Sequence, residues 1–287
     1  MKRKAFLQFT APSNIVMLVL LVFPLVYAVW LGMNFITFRT LNEPVFVGLD
    51  NFRAVLNDPN FWAALRWTLV IVVVTVPVHM ILGFTIALFL DQMKGRTRAF
   101  YFSASLIPMI VVPLIGTIIF KQLFDPSGLF AWAYRTVTGN LFVFNPTSMK
   151  GVILVHTIWI ITPWAIVLFF AGMQTIPQEQ VDASSIDGAS RLQQIRHVVI
   201  PHLRPLILLT ALIAVMDMFR LFDNVFVLTR LNPVFRADTV MTYNFRSAIS
   251  LRRLGLGNSI AVILVIAIVV ALVPLLYVTY RDQIRER

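Results

Sequence analysis

Apolar residues along the chain fall into long runs that are separated by polar stretches. A helix that crosses a bilayer needs about 20 mainly apolar residues, and six runs reach that length. They are 13–36, 67–90, 99–120, 151–173, 206–228 and 258–280. The pattern predicts an all-α polytopic membrane protein with six transmembrane helices, in which residues 1–287 form a single transmembrane domain.

Most of these runs contain proline. Proline has no N–H group and its ring clashes with the preceding turn, so a helix bends or breaks there. The prolines concerned are Pro24, Pro77, Pro108, Pro113, Pro163 and Pro274. We therefore expect bent helices, whose bends serve either bundle packing or a path through the bundle.

The longest polar interruption lies between the fourth and fifth runs, at 174–205, and is called the polar insert below. Thr175 and Gln178 have the spacing of a capping box, which predicts a helix over about 176–186. Gly188 supplies the permissive backbone of a sharp reversal. A second helix over about 189–199 would place Leu192, Ile195 and Val199 on one face, and Pro201 and Pro205 would end it.

Two roles suit such an insert. It could lie on the membrane surface as an interfacial amphipathic helix, or it could dock on a partner protein. An anionic leaflet would repel Asp182 and Asp187 near the Gly188 corner, which favours docking.

Composition agrees with the membrane class and excludes several functions. Hydrophobic residues make up 59% of the chain, charged residues only 13%, and the mean hydropathy is +0.82. The absence of cysteine excludes disulfides, thiolate nucleophiles and cysteine-based zinc sites. The net charge of +11 does not indicate nucleic acid, because the basic residues flank apolar runs, where they face lipid headgroups.

The basic residues also predict the orientation of the chain. An even number of crossings places both termini on one side, together with 91–98 and the polar insert. Lys and Arg are denser in these segments than in the three long loops 37–66, 121–150 and 229–257. Since basic loops stay inside, both termini and the polar insert are expected in the cytoplasm.

The insert also carries a resemblance to a known family. Residues 182–205, "DASSIDGASRLQQIRHVVIPHLRP", are similar to the EAA loop of ABC-importer permeases, with Asp182-Ala183-Ser184 in place of Glu-Ala-Ala. Gly188 and Pro201 follow at the expected positions. The stretches 47–69, 123–130, 171–180 and 221–229 resemble the carbohydrate-uptake branch of that family. The chain departs from it after Thr229, where Arg230-Leu231-Asn232-Pro233 replaces the frequent Gly-Gly-Pro.

The resemblance implies a division of labour among subunits of a bacterial inner-membrane importer. The insert would couple this chain to a cytoplasmic dimer of ABC ATPases, which bind ATP and Mg; this chain has no phosphate-binding Gly-x-x-x-x-Gly-Lys-Ser/Thr motif. A second permease subunit, expected to be a different chain, and an extracytoplasmic substrate-binding protein would complete the importer of a sugar or polyol. The residues expected to carry coupling are Asp182, Ala183, Asp187, Gly188, Ala189, Leu192, Ile195 and Pro201.

Polar residues inside two of the runs are candidates for the translocation path. Charged groups are costly at membrane depth, so they face the protein interior or water. The fifth run contains Asp217, Arg220, Asp223 and Asn224, of which Asp217, Arg220 and Asn224 would share one helical face. An internal ion pair of Arg220 with Asp217 or Asp223 is the alternative role.

The fourth run offers hydroxyl and indole groups that suit a sugar ring. They are Thr157, Trp159, Thr162 and Trp164. The alternative for the tryptophans is an interfacial girdle, although their mid-run positions argue against it.

A different class of transporter stays open as an alternative. A stand-alone proton-coupled secondary transporter would use His79 and Asp217, but the two halves of the chain lack the internal repeat that many such transporters have. No constellation of residues indicates a catalytic or metal site, so the chain is not expected to be an enzyme or to hold a cofactor itself.

Overall fold

The computed structural model describes residues 3–285 of the chain, with side chains described for residues 10–281. The predicted all-α class is confirmed, since 79% of the structure is helical. The helices are α1 (Arg3–Gly32), α2 (Asp50–Leu56), α3 (Pro59–Gln92), α4 (Gly95–Ser105), α5 (Ile107–Ile110), α6 (Pro113–Phe124), α7 (Leu129–Thr138), α8 (Pro146–Met173), α9 (Gln178–Ile186), α10 (Arg191–Gln194), α11 (Ile200–Phe219), α12 (Asp223–Thr229), α13 (Val240–Phe245) and α14 (Leu254–Arg285). A small antiparallel hairpin pairs β1 (Asn34–Phe35) with β2 (Val45–Phe46).

Within the described residues, five helices are long and apolar enough to cross a membrane. They are Thr10–Gly32, Pro59–Gln92, Pro146–Met173, Arg191–Phe219 and Leu254–Arg281. Half of the most apolar window of Pro146–Met173 is buried, against 6% for Thr10–Gly32. The fourth predicted run therefore forms a central helix, whereas the first leaves most of its apolar surface open to lipid or a partner.

The third predicted run, 99–120, is not one continuous helix. It is divided among α4, α5 and α6, which are separated at Leu106 and at Val111 and Val112. Val112 has an extended backbone (φ −52°, ψ 125°) because the ring of Pro113 disfavours the helical conformation in the residue before it. The count of six transmembrane helices therefore stays a prediction for this segment.

The fifth predicted run, 206–228, begins and ends in the wrong places. The helix starts at Arg191 and ends at Phe219, so Pro201 and Pro205 do not terminate it as expected. A π-helical turn, Ile195–Val199, precedes Pro201 and lets the Ile200 N–H bond to the Ile195 carbonyl, which widens the helix where proline removes a bond.

The chain divides into two compact units. The first comprises residues up to Ala64 and Val240–Val269. In it, the Asn51 amide donates to the carbonyls of Gly32 at 2.9 Å and Asn34 at 3.0 Å, which fixes the hairpin beside α1. The Tyr243 hydroxyl donates to the Asp58 carboxylate at 2.5 Å.

The second unit comprises Leu65–Thr239 and the chain from Val270 onward. Its core contains an apolar cluster formed by Ala87, Ala165, Phe169, Met173 and Leu203. A Cβ atom at Gly83 would lie 2.5 Å from that of Ala165, so glycine is needed where α3 approaches α8. This packing holds the ends of α3 and α8 beside the polar insert.

Candidate functional site

The predicted reversal at Gly188 is present and has a defined hydrogen-bond pattern. Gly188 has φ +76°, a left-handed conformation that favours glycine. The N–H of Gly188 donates to the Ser185 carbonyl at 3.1 Å, and that of Ala189 to the Ser184 carbonyl at 3.0 Å. These two bonds are those of a Schellman motif, which ends α9 sharply.

The second helix of the insert begins immediately after the turn. Ser190 caps α10 in a capping box, in which the Ser190 N–H donates to the Gln193 side chain at 2.7 Å. The Gln194 amide then reaches back to α9, donating to the hydroxyls of Ser184 at 3.2 Å and Ser185 at 2.9 Å. Side chains thus brace the two helices against each other.

The predicted capping box at the start of α9 is wrong. Pro177 is the N-cap residue and makes no side-chain cap bond, and the helix runs from Gln178 to Ile186. The Thr175 hydroxyl instead donates to the Gly172 carbonyl at 2.8 Å and lies 2.9 Å from His202 Nε2. Gln178 donates along its own helix to Asp182 at 2.9 Å.

Two large apolar side chains are exposed on either side of the Gly188 turn. Ile186 is 86% exposed and Leu192 is 75% exposed. Leu192 does not share a packed face with Ile195 and Val199 as predicted, since those two are half-buried and Val199 packs against the apolar cluster. Leu192 lies one turn closer to the tip of the insert, beyond the reach of that cluster.

The remaining predicted coupling residues lie on both sides of the Gly188 turn, with Pro201 farther along in α11. Asp182, Ala183, Asp187, Gly188 and Pro201 are exposed, and Ala189 is half-buried. The insert therefore presents a mixed surface, with two apolar side chains beside acidic ones.

The groups that join the insert to the helix bundle are not among those predicted from the sequence. Asp91, near the end of α3, accepts a hydrogen bond from the Gln174 amide at 2.8 Å and lies 4.0 Å from the Arg191 guanidinium. Their separation in sequence left no signal of this contact beyond the acidic residue at a helix end.

A second group of polar residues is fully buried between α6, α8 and α12. The Thr117 hydroxyl donates to the Pro113 carbonyl at 2.8 Å, so its oxygen is free to accept from His156 Nε2 at 3.2 Å. With that tautomer, His156 Nδ1 accepts from the Asn224 amide at 3.3 Å, and the same amide donates to the Thr157 hydroxyl at 2.9 Å. Every member finds a partner, so the cluster joins three helices.

The charged candidates of the fifth run do not lie on one helical face. The helix ends at Phe219, and Arg220 adopts a non-helical C-cap conformation (φ −94°, ψ 7°) before α12 starts at Asp223. Asp217, Arg220 and Asp223 are exposed, and among the described residues no ion pair joins Arg220 to either aspartate. The prediction that these residues share one helical face was wrong because it assumed an unbroken helix.

The candidates of α8 divide by exposure. Trp159 and Trp164 are exposed, whereas Thr162 is buried and donates to the Ile158 carbonyl one turn before it at 2.6 Å. Trp159 and Thr162 line an apolar groove of about 480 Å³ that also includes Pro108.

The groups considered for other chemistry have local partners. His79 is buried, and its Nδ1 lies 3.0 Å from the Thr75 carbonyl on the same helix. Among the described residues, no three His, Asp or Glu side chains come together in a way that could hold a metal ion.

Comparisons with known proteins relate these features to a family. The chain is 28% identical over 275 residues to the trehalose transport system permease protein SugA of Mycobacterium tuberculosis, covering 92% of this chain and 84% of that protein. It is 30% identical over 261 residues to the trehalose/maltose transport system permease protein MalF of Thermococcus litoralis, covering 88% and 85%. A solved bacterial alginate ABC transporter, in complex with an alginate pentasaccharide-bound periplasmic protein, has the same fold, with a TM-score of 0.82 at 15% identity and coverage of 98% and 96%.

The family match covers most of the membrane-spanning part of the chain. Residues 68–285 match the model of the binding-protein-dependent transport system inner membrane component. This range includes the polar insert and the buried cluster around His156. The chain therefore belongs to the family of inner membrane components of binding-protein-dependent transport systems, as a multi-pass membrane protein.

Proposed function

We propose that this chain is the membrane-spanning subunit of an ATP-driven importer and that its polar insert docks on a cytoplasmic ABC ATPase. The observation that carries the proposal is the braced pair α9 and α10, whose exposed tip is continuous with the helix Arg191–Phe219. A push on the tip would act directly on a helix long enough to cross the membrane. ATP and Mg would be bound by the ATPase dimer.

The surface of the insert favours a protein partner over the membrane surface. Burying a side chain such as Ile186 or Leu192 stabilises a complex by about 1.5–3 kcal/mol. An anionic leaflet would repel the exposed Asp182 and Asp187 beside them, whereas a groove in a protein can provide partners for both kinds of group. Docking on the cytoplasmic ATPase would place the insert and both termini in the cytoplasm.

The substrate proposed is a sugar or polyol. The trehalose and maltose transport proteins among its relatives support this class, as does the alginate importer with the same fold. An extracytoplasmic binding protein would deliver the substrate, and a second permease subunit, proposed to be a different chain, would enclose the path.

Within this proposal the candidate path residues have different roles. The exposed groups would face the path and contact hydroxyls or ring faces; they are Trp159, Trp164, Asp217, Arg220 and Asp223. Thr157, Thr162 and Asn224 would shape the path from behind, because their side chains already bond within the protein. The proton-coupled alternative has no observation in its favour, and family membership argues against it.

The test is purification of the tagged chain from native membranes in mild detergent, followed by reconstitution in liposomes. We expect an ATPase and a second permease chain to accompany it, and uptake of labelled disaccharide to require ATP and the binding protein. Uptake by the chain alone, without ATP and sensitive to uncouplers, would overturn the proposal in favour of a secondary transporter.

A further inference from the structure

An acidic residue stands at an unfavourable position at the end of α3. Asp91 is the penultimate residue of that helix, whose last turn contains no basic side chain. The carbonyl end of a helix carries partial negative charge, which disfavours a carboxylate there. No basic side chain in the last turn of α3 compensates for the negative charge of Asp91. The role of this residue must therefore lie in its contacts with other elements.

The partners of Asp91 belong to the polar insert, one at its start and one just after the Gly188 turn in its middle. The Asp91 Oδ1 atom accepts from Gln174, the residue that caps α8 at the start of the insert. The Oδ2 atom faces Arg191, the first residue of α10 after the Gly188 turn. One carboxylate therefore links α3 to the start and to the middle of the insert, beside a polar cavity of about 190 Å³ that all three residues line.

This link differs in kind from the apolar packing between the insert and the bundle. The packing of Val199 and Leu203 at the apolar cluster is non-directional. The ion pair of Arg53 with Asp50, by comparison, lies within one helix. The Asp91 carboxylate adds a directional hydrogen bond with Gln174 and an ion pair with Arg191, both of which are far from it in sequence.

The side chains of this link are partly open to solvent. Asp91 is 35% exposed and Arg191 is 50% exposed. Partly exposed ion pairs contribute little to stability, so replacing Asp91 by asparagine should leave the fold intact. We therefore expect the replacement of Asp91 to change how the helices move relative to one another rather than whether the chain folds.

We propose that Asp91 is a positioning residue that makes the cytoplasmic end of α3 follow the polar insert when a bound ATPase moves it. The inference rests on the proposed function. Without Asp91 the insert and Arg191–Phe219 would still move with the ATPase, whereas α3 would lag behind. The ATPase would stay bound, because Asp91 lines a cavity that Ile186 and Leu192 of the tip do not line.

The test measures the distance between the insert and α3 in the complete complex. The natural chain has no cysteine, so spin labels can be attached at two introduced sites, Gln92→Cys at the end of α3 and Gln180→Cys on α9. With cysteine-free ATPase subunits, electron–electron resonance gives the label distance without nucleotide and with ATP and Mg. The control Asp50→Asn removes the exposed pair with Arg53 instead.

In the labelled chain that keeps Asp91, and in the Asp50→Asn control, we expect one narrow distribution of label distances that is the same without nucleotide and with ATP and Mg. In Asp91→Asn the distance should shift or broaden when nucleotide is added, and the charge swap Asp91→Arg with Arg191→Asp should restore the narrow distribution. An unchanged narrow distance in Asp91→Asn would overturn the inference.

A second result would also overturn it, namely loss of the ATPase from Asp91→Asn but not from the control, because Asp91 would then serve docking itself. Failure of the proposed function is distinguishable from both results. In that case no ATPase would accompany the unsubstituted chain, before any label or substitution is introduced.

Discussion

The backbone N–H of Ala189 donates to the carbonyl of Ser184 at 3.0 Å, and this bond closes the turn that joins α9 to α10. The bond requires the left-handed conformation of Gly188 between them. The angle between the two helices, and hence the position of Ile186 and Leu192 at the tip, depends on that residue.

Replacement of Gly188 by valine should therefore release the ATPase. A left-handed conformation costs about 1–2 kcal/mol in residues with a Cβ, and a β-branched side chain is the least suited to it. Apart from Gly188 and its two chain neighbours, no described residue has a heavy atom within 4 Å of the position that a Cβ at Gly188 would occupy, so backbone strain rather than a clash is responsible. Co-purification of the ATPase with the tagged chain measures the effect.

The matched control is Gly188→Asn, since asparagine tolerates the left-handed region. It should retain the ATPase. Equal retention by the valine and asparagine variants would contradict the role assigned to the turn.

Replacement of Ile186 by aspartate should also weaken ATPase binding. A charge would replace an apolar side chain that is 86% exposed in the chain alone and that docking would bury. The loss should exceed about tenfold in affinity, since burying such a side chain is worth about 1.5–3 kcal/mol. Gln180→Asp adds the same charge to another exposed position of α9 and should have a smaller effect; equal effects would indicate charge alone.

Replacement of Asn224 by alanine should destabilise the protein without touching its surface. It leaves His156 Nδ1 and the Thr157 hydroxyl without their buried donor, at a cost of about 1–3 kcal/mol. Thermal unfolding in detergent measures the change, with the exposed Asn140→Ala as control. Because the partners interact directly, the double variant with Thr157→Val should lose less stability than the two single variants together; strict additivity would contradict the network.

Replacement of Tyr243 by phenylalanine should lower stability in a pH-dependent way. Burial, and then the hydrogen bond to Asp58, raise the pKa of Tyr243. A raised pKa in the folded state means that the stabilisation is complete below the ordinary pKa of about 10 and is lost as the pH rises through the folded value.

The melting temperatures of the unsubstituted protein and of the Tyr243→Phe variant should thus differ by a constant amount near neutral pH and converge in strong alkali. Tyr134→Phe, at an exposed position, is the control. A difference that stays constant above a pH of about 11 would contradict the assigned cause.

The reversal at Gly188 was predictable from the residues around it. The ends of the long helices were not, because they depend on how the backbone rearranges its hydrogen bonds. The π-helical turn before Pro201 accommodates the residue's missing N–H donor. Pro201, which predicts a helix end, therefore lies inside the continuous helix Arg191–Phe219. Conversely, Arg220 interrupts a run that is uniformly apolar enough to predict one helix. Hydropathy indicates which residues lie within the membrane, but it does not specify where the backbone hydrogen bonds of a helix are interrupted or rearranged.

The contacts that organise the candidate site join residues far apart in sequence. Asn224 and His156 are 68 positions apart, and Asp91 and Gln174 are 83 positions apart. Asn224 stands out in the sequence as a polar residue within an apolar run, whereas its partner, like the partner of Asp91, is defined only by the packing of the helices. For this reason Asn224 was expected to face a path, while the structure places it in a buried network.

The most direct test of the central claim is site-specific photocrosslinking from position 186 in native membranes. A photoreactive amino acid in place of Ile186 lies at the tip of the insert, and one in place of the exposed Val137 on α7 serves as control. We predict an adduct between position 186 and an ABC ATPase subunit, identified by mass spectrometry, and no such adduct from position 137. Adducts from position 186 with lipid alone, while the ATPase is present, would contradict it.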